Sequence, residues 1–280
     1  MSDHRQKRLV ALTRLISANP GAQLSLTDLS HRLHVAKSTL SEDLLLIKEA
    51  LESQGLGHID SQVGAAGGVT FRPALDVERI REHLTVFVRE LTNPDRLTPD
   101  GFLYVTDLLF SPERIDVMGT LLAERFRPVG VDYVATVETR GIPLALSAAR
   151  ALMVDMVLLR RDNRLSEGSS LSINYLSGSS RRVQSMSLAR RAPVRGGRIL
   201  FVDDFMQAGG TARAAQDLLG DFGAQVVGVG VLVATREPKQ KVVDDYSAIL
   251  EWVRSDEGPG TVFPTEWVQR LVEWEGSLES

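Results

Sequence analysis

Apolar residues recur at helical spacing through residues 5–53. They do so again over 76–92, where Val77, Ile80, Leu84, Phe87, Val88 and Leu91 predict a single helix. Gly55–Arg72, between the two stretches, is rich in glycine. Beyond Gly101 the texture changes. Short apolar runs at Tyr104–Leu108, Tyr133–Val137, Val154–Leu159, Ile199–Val202 and Val226–Val233 predict strands, with helices starting near Ser111, Ile142 and Thr211. Strands alternating with helices predict a mostly parallel sheet covered by helices. The rhythm breaks over Asp162–Arg198, a Ser/Gly-rich stretch in which Ser170–Tyr175 can pair with Val183–Leu188 as a hairpin. The spacing of Trp267, Leu271 and Trp274 predicts one apolar face of a closing helix. The change of texture divides the chain into a small domain, residues 1–74, and a larger α/β domain, residues 75–280.

Within the first domain, Thr27–Leu44 reads as helix, turn, helix, with Leu29, Leu33, Val35, Leu40 and Leu44 inward. Lys37, Ser38, Thr39, Ser41 and Lys48 are left among the outward positions, donors suited to phosphates and base edges. Gly64–Gly68, between His58–Val63 and Val69–Arg72, reads as the hairpin of a winged helix, and Arg72 is counted among the expected DNA contacts. The turn carries His34 where glycine is common, so it asks a β-carbon to accept positive φ.

Composition sets few limits. At 280 residues, 43% apolar and 24% charged, the chain matches an ordinary globular protein. It has no cysteine, so disulfides and thiolate metal sites are excluded. Its longest membrane-like run, Ala224–Thr235, falls short of the roughly 20 residues that span a bilayer. Arg14 interrupts the apolar run that a secretory signal would need. A cytoplasmic protein without a membrane partner is expected. The net charge of −4 speaks against nucleic acid, but residues 1–72 carry eight Lys/Arg against seven Asp/Glu. Ser180–Arg198 holds six arginines and no acid, which is either a solvated face or a platform for phosphates from a ligand or DNA.

The chemistry concentrates in residues 199–211, Ile-Leu-Phe-Val-Asp-Asp-Phe-Met-Gln-Ala-Gly-Gly-Thr. A buried strand ends in two carboxylates, and ligands of open parallel sheets bind at that edge. A loop through Gly209 and Gly210 then opens a helix at Thr211, so backbone N–H groups and a helix N-terminus can close on a phosphate. Adjacent Asp203 and Asp204 suit the paired hydroxyls of a ribose, which donate hydrogen bonds to carboxylates. No G-x-x-x-x-G-K-[ST] loop is present, and no G-x-G-x-x-G follows a strand, so the NTPase and dinucleotide motifs are missing.

This segment resembles the phosphoribosyl pyrophosphate (PRPP) motif of type I phosphoribosyltransferases. The resemblance implies that Asp203 and Asp204 take the ribose hydroxyls while Gln207, Ala208, Gly209, Gly210 and Thr211, after Phe205 and Met206, wrap the 5-phosphate. It also implies that Val134–Gly141 is a pyrophosphate loop with Thr139 and Arg140 nearest the ligand, that Arg160 and Arg161 assist, and that Mg²⁺ arrives with PRPP and has few protein ligands. Gln207 stands where the motif leads one to expect lysine, so a cation near the anion is missing. Phe205 either packs beneath the loop or offers a face for a nucleobase, with Tyr104 as a second wall.

A winged helix before such a domain, together with Ser-Ile-Asn-Tyr-x-Ser-Gly-Ser-Ser at 172–180, resembles the purine operon repressor family of Gram-positive bacteria. That resemblance implies a homodimeric repressor on double-stranded operator DNA, released by PRPP, with no transferase activity. Two alternatives stay open: an active phosphoribosyltransferase with a regulatory N-terminus, and a repressor answering to a purine nucleotide that bears pyrophosphate.

Overall fold

The computed structural model describes residues 2–62, 67–99, 101–161, 168–176, 183–255, 258 and 260–274. It contains two compact units, residues 1–76 and 77–280.

In the first unit α1 (Ser2–Ser17), β1 (Gln23–Ser25), α2 (Leu26–Leu33) and α3 (Lys37–Ser53) precede the antiparallel pair β2 (Gly57–Gln62) and β3 (Gly68–Pro73). Ser25 caps α2, its hydroxyl accepting from the amides of Thr27 and Asp28. Leu12, Ile16, Leu29, Leu40, Leu44, Ile47 and Ile59 form one core. β1 pairs with β3 as a third strand, a departure from the all-helical reading of 5–53. It escapes a periodicity reading because three residues hold barely one alternation. The tip of the expected hairpin, 63–66, lies outside the described residues.

His34 ends α2 at φ 54 and ψ 44, the left-handed conformation that the sequence pattern asks of it. We expect His34→Gly to raise this unit's stability by up to about 1 kcal/mol, because relief of the β-carbon is partly offset by glycine's greater freedom when unfolded. Denaturant melts of both proteins check this, and a less stable glycine variant would show that the histidine side chain holds the turn. Asp43 of α3 is buried and accepts from Arg5 Nε at 3.1 Å and Arg8 Nε at 2.5 Å of α1. Burial pushes its pKa up, but the hydrogen bonds from Arg8 and Arg5 outweigh burial and hold it below the ordinary carboxylate value.

The second unit opens with α4 (Val77–Leu91), whose inward Ile80, Leu84, Phe87 and Leu91 keep the expected spacing. Then come α5 (Thr106–Leu109), α6 (Pro112–Phe126), β4 (Tyr133–Val137), α7 (Ile142–Leu152) and β5 (Asp155–Leu159). The expected hairpin follows as β6 (Ser170–Leu176) and β7 (Val183–Ala189), with Ser170 opposite Ala189 and Leu176 opposite Val183. β8 (Arg198–Met206), α8 (Gly210–Asp221), β9 (Gln225–Thr235), β10 (Ser247–Val253), β11 (Thr261–Pro264) and α9 (Glu266–Val272) complete it. The sheet order is β11-β10-β9-β8-β4-β5, parallel except for β11.

Two expectations are corrected here. Tyr104–Leu108 is not a strand: Val105, Leu108 and Leu109 are buried at i, i+3 and i+4, the spacing of the single helical turn α5. The closing helix buries Val268 and Val272, while Leu271 faces outward. Trp267 still turns inward enough for Nε1 to donate to the Ala248 carbonyl at 2.8 Å. β10 and β11 extend the sheet through a segment that the sequence reading left without strands.

Candidate functional site

After β4 the chain forms β5 on one side, and β8 then pairs with β4 on the other, so the connections diverge between β4 and β8. A cavity of about 410 Å³ opens at the carboxyl ends of these strands, where an open α/β sheet leaves a crevice.

Asp203 and Asp204 end the buried run of β8, 8% and 5% exposed. The Asp204 amide donates to Asp203 Oδ1 at 2.9 Å. Burial and the neighbouring Asp204 charge push the pKa of the Asp203 carboxyl well above its ordinary value. Arg140 Nε lies 3.1 Å from Asp204 Oδ2 but out of line for a hydrogen bond; this buried oxygen has a charge partner and no hydrogen-bond partner. That is a poor arrangement for an empty protein and a suitable one for a hydroxyl donor.

The approach is close because residue 141 is glycine. A β-carbon there would stand 2.6 Å from Thr136 Oγ1 and 3.0 Å from Asp203 Oδ1. Gly209 at φ 87 caps α8 in the left-handed region, and no side chain caps the amides behind it. Those amides line the cavity with Gln207, Ala208, Gly210 and Thr211. The Tyr175 hydroxyl of β6 donates to Gln184 Oε1 of β7 at 2.9 Å, and Gln184 brings the hairpin to this cavity.

Glu138 sorts the basic residues. Its carboxylate takes Arg160 Nη1 and the Arg161 amide at 3.0 Å each, and its carbonyl takes Arg161 Nε at 3.0 Å. Arg161 and Arg140 line the cavity, whereas Arg160 and Thr139 are not among its lining residues. Met206 lines it as well, and Phe205 does so while its ring packs edge-on against Trp252, with centroids 5.9 Å apart. Tyr104 is not a wall: its ring lies beneath the Arg96 guanidinium at 5.8 Å, and Phe102 and Thr98 reach the cavity instead. Phe102 and Gln184 were missed because each belongs to the site only through tertiary folding.

The arginine segment lies elsewhere. Arg190, Arg191 and Arg195 are exposed on the loop leading into β8, at the amino ends of the strands, opposite the cavity. Arg198 is held by the Gly130 and Val129 carbonyls. Arg181 and Arg182 lie outside the described residues. The described arginines of the segment, 190, 191, 195 and 198, do not line this cavity, although Gln184 of the same segment does.

In the first unit Lys37, Ser38 and Ser41 are exposed on the opening turns of α3, and Thr39 is half-buried. Lys48 pairs with Glu52 at 3.9 Å, and Arg72 pairs with Asp60 at 3.1 Å in the β2–β3 pair.

Residues 4–73 match the family model described as bacterial purine repressor, N-terminal, and residues 105–263 match the phosphoribosyl transferase domain. The chain is 43% identical over 250 residues to the purine biosynthesis transcriptional repressor of Bacillus subtilis, covering 89% of this chain and 88% of that one. It is 38% identical over 252 residues to the purine biosynthesis transcriptional activator of Lactococcus lactis, covering 90% and 93%. Among solved structures, adenine phosphoribosyltransferase from Rhodothermus marinus superposes with a TM-score of 0.52 at 25% identity, covering 62% of this chain and 99% of that one.

Proposed function

The chain belongs to the bacterial purine repressor family, and on that premise we propose that it represses purine biosynthesis genes and that PRPP, bound in the second unit, releases it from operator DNA. The carrying observation is one cavity in which the buried Asp203–Asp204 pair, the uncapped start of α8 and the Arg140 and Arg161 side chains converge. Paired carboxylates match the ribose hydroxyls, the loop at Gly209 matches the 5-phosphate, and the two arginines match the pyrophosphate. Among the described residues no group of three or more His, Cys, Asp or Glu is placed to hold a metal. In this reading Mg²⁺ would arrive with PRPP and neutralise part of the phosphate charge.

The family includes proteins named as repressor and as activator, and the 43% relative favours repression here. We assign DNA contact to Lys37, Ser38, Thr39 and Ser41 on α3 with Lys48 and Arg72 at its margins, in a homodimer acting in the cytoplasm. Thr139 acts as part of the pyrophosphate loop, and Arg160 acts from behind it through Glu138.

PRPP at saturation should weaken operator binding by roughly 5- to 150-fold, the range of a coupling of about 1–3 kcal/mol, and operator should weaken PRPP binding by the same factor. Fluorescence titrations at fixed salt and free Mg²⁺, with ribose 5-phosphate plus pyrophosphate at matched ionic strength as control, measure both. Equal DNA affinity with and without PRPP, in protein that binds each, would overturn the inducer role. Pyrophosphate release near 1 s⁻¹, an ordinary enzyme rate, on adding a purine base would make the protein a transferase.

A further inference from the structure

Lys241 is buried, 7% exposed, in the segment that joins β9 to β10. Its ammonium donates to the Thr235 carbonyl at 2.7 Å and to Thr235 Oγ1 at 3.3 Å. Among the described residues no carboxylate lies within ion-pair distance of it. An ammonium taken out of water normally finds a carboxylate, because a carbonyl and a hydroxyl orient the group without neutralising it.

The same segment is the floor of the phosphate loop. The Val242 amide donates to the Ala208 carbonyl at 2.9 Å. Thr235 Oγ1 donates to the Glu237 carbonyl at 2.6 Å and also lies 3.4 Å from the Gln207 carbonyl. A β-carbon on Gly209 would stand 3.1 Å from Val243 Cγ2 and 3.7 Å from Lys241 Cβ. The loop itself, Gln-Ala-Gly-Gly-Thr, carries no basic side chain.

We infer that Lys241 is a positioning residue for phosphate: a buried cation beneath residues 207–209 with no ion pair among the described residues, it supplies from below the charge that the loop lacks. The inference rests on the reading of that loop as a ribose 5-phosphate site. The phosphate does not touch the ammonium; the charge acts through the loop, in a setting too dry to screen it fully. Burial lowers the pKa of Lys241, opposed by the charges of Glu237 and Glu251, so the empty protein carries this cation at a cost that a bound anion relieves.

Calorimetry on full-length protein distinguishes this from simple packing. Ribose 5-phosphate and pyrophosphate are titrated separately into wild type, Lys241→Met, Lys241→Gln and the double variant Lys241→Met with Gln207→Lys. Lys241→Gln keeps a donor for Thr235 and removes only the charge, and it serves if the methionine variant fails to fold. Ribose 5-phosphate affinity should fall about tenfold in both single variants, a size set by one charge acting at moderate effective dielectric. Pyrophosphate affinity should stay within about twofold, and Gln207→Lys should restore most of the loss. Equal weakening of both ligands, or full ribose 5-phosphate affinity in Lys241→Gln, would overturn the inference. Failure of wild type to bind ribose 5-phosphate is a different result and would overturn the reading of the loop itself.

Discussion

Replacing Asp203 by asparagine should weaken PRPP binding by roughly ten- to a hundredfold while making the unliganded protein more stable. The first effect follows from losing charge-assisted hydrogen bonds to the ribose hydroxyls, worth about 1.5–3 kcal/mol. The second follows from the empty site: two adjacent buried carboxylates repel, and Asp204 Oδ2 has no hydrogen-bond partner. Removing one ionisable group from such a pair relieves the repulsion and the cost of burial. The pH dependence has a defined sign. Folding raises the Asp203 pKa, so the native state binds the proton more tightly than the unfolded chain. Stability from this group is therefore fully present below the ordinary carboxylate pKa and declines as pH rises through the folded value. Asp203→Asn should flatten that decline. Thermal melts across pH, with and without PRPP, give all three quantities. Unchanged PRPP affinity in Asp203→Asn and Asp204→Asn alike would remove the ribose from this pair.

The same residues show what a sequence can disclose. Strand, carboxylate pair, glycines and helix start are contiguous from Ile199 to Thr211, so the local conformation that each residue favours already assembles half of the site. His34 is legible for the same reason, since a two-helix turn of fixed length demands positive φ at one position. The other half of the cavity is not local. Phe102, Gln184 and Arg161 arrive from three segments whose convergence depends on strand order. Closeness in sequence misleads in the arginine segment: Arg195 is eight residues from Asp203, yet β8 runs across the sheet between them and separates them by its length. The Tyr104–Leu108 error has a related cause. An apolar run of five residues fits one helical turn as well as a strand, and only burial decides between them.

Full-length protein should lose operator affinity by a factor of about 10³–10⁵ between 50 and 200 mM salt if the complex makes six to ten phosphate contacts, since each releases counterions with a log–log slope near −0.9. Residues 1–72 are nearly neutral overall, so such a slope requires that the few available cations be placed at the DNA. The structure ranks them. Lys48 and Arg72 already pair with Glu52 and Asp60, and breaking those contacts offsets part of any gain at a phosphate. Lys37 is exposed on the first turn of α3 and has no ion pair among the described residues. Its helix begins at Ala36 without a side-chain cap, so the opening amides and the positive end of the helix dipole add to the lysine's pull on an anion. Lys37→Ala should therefore weaken binding more than Lys48→Ala or Arg72→Ala. It should flatten the salt slope by about one unit per bound half-site, and by about two if a homodimer seats both copies. The salt series also tells a backbone contact from a base contact. A lysine on a phosphate changes operator and random DNA alike, whereas a lysine on a guanine edge changes the operator selectively and leaves the random-DNA slope intact. An unchanged slope on both DNAs would take Lys37 off the interface and move the search for the docking surface away from the start of α3.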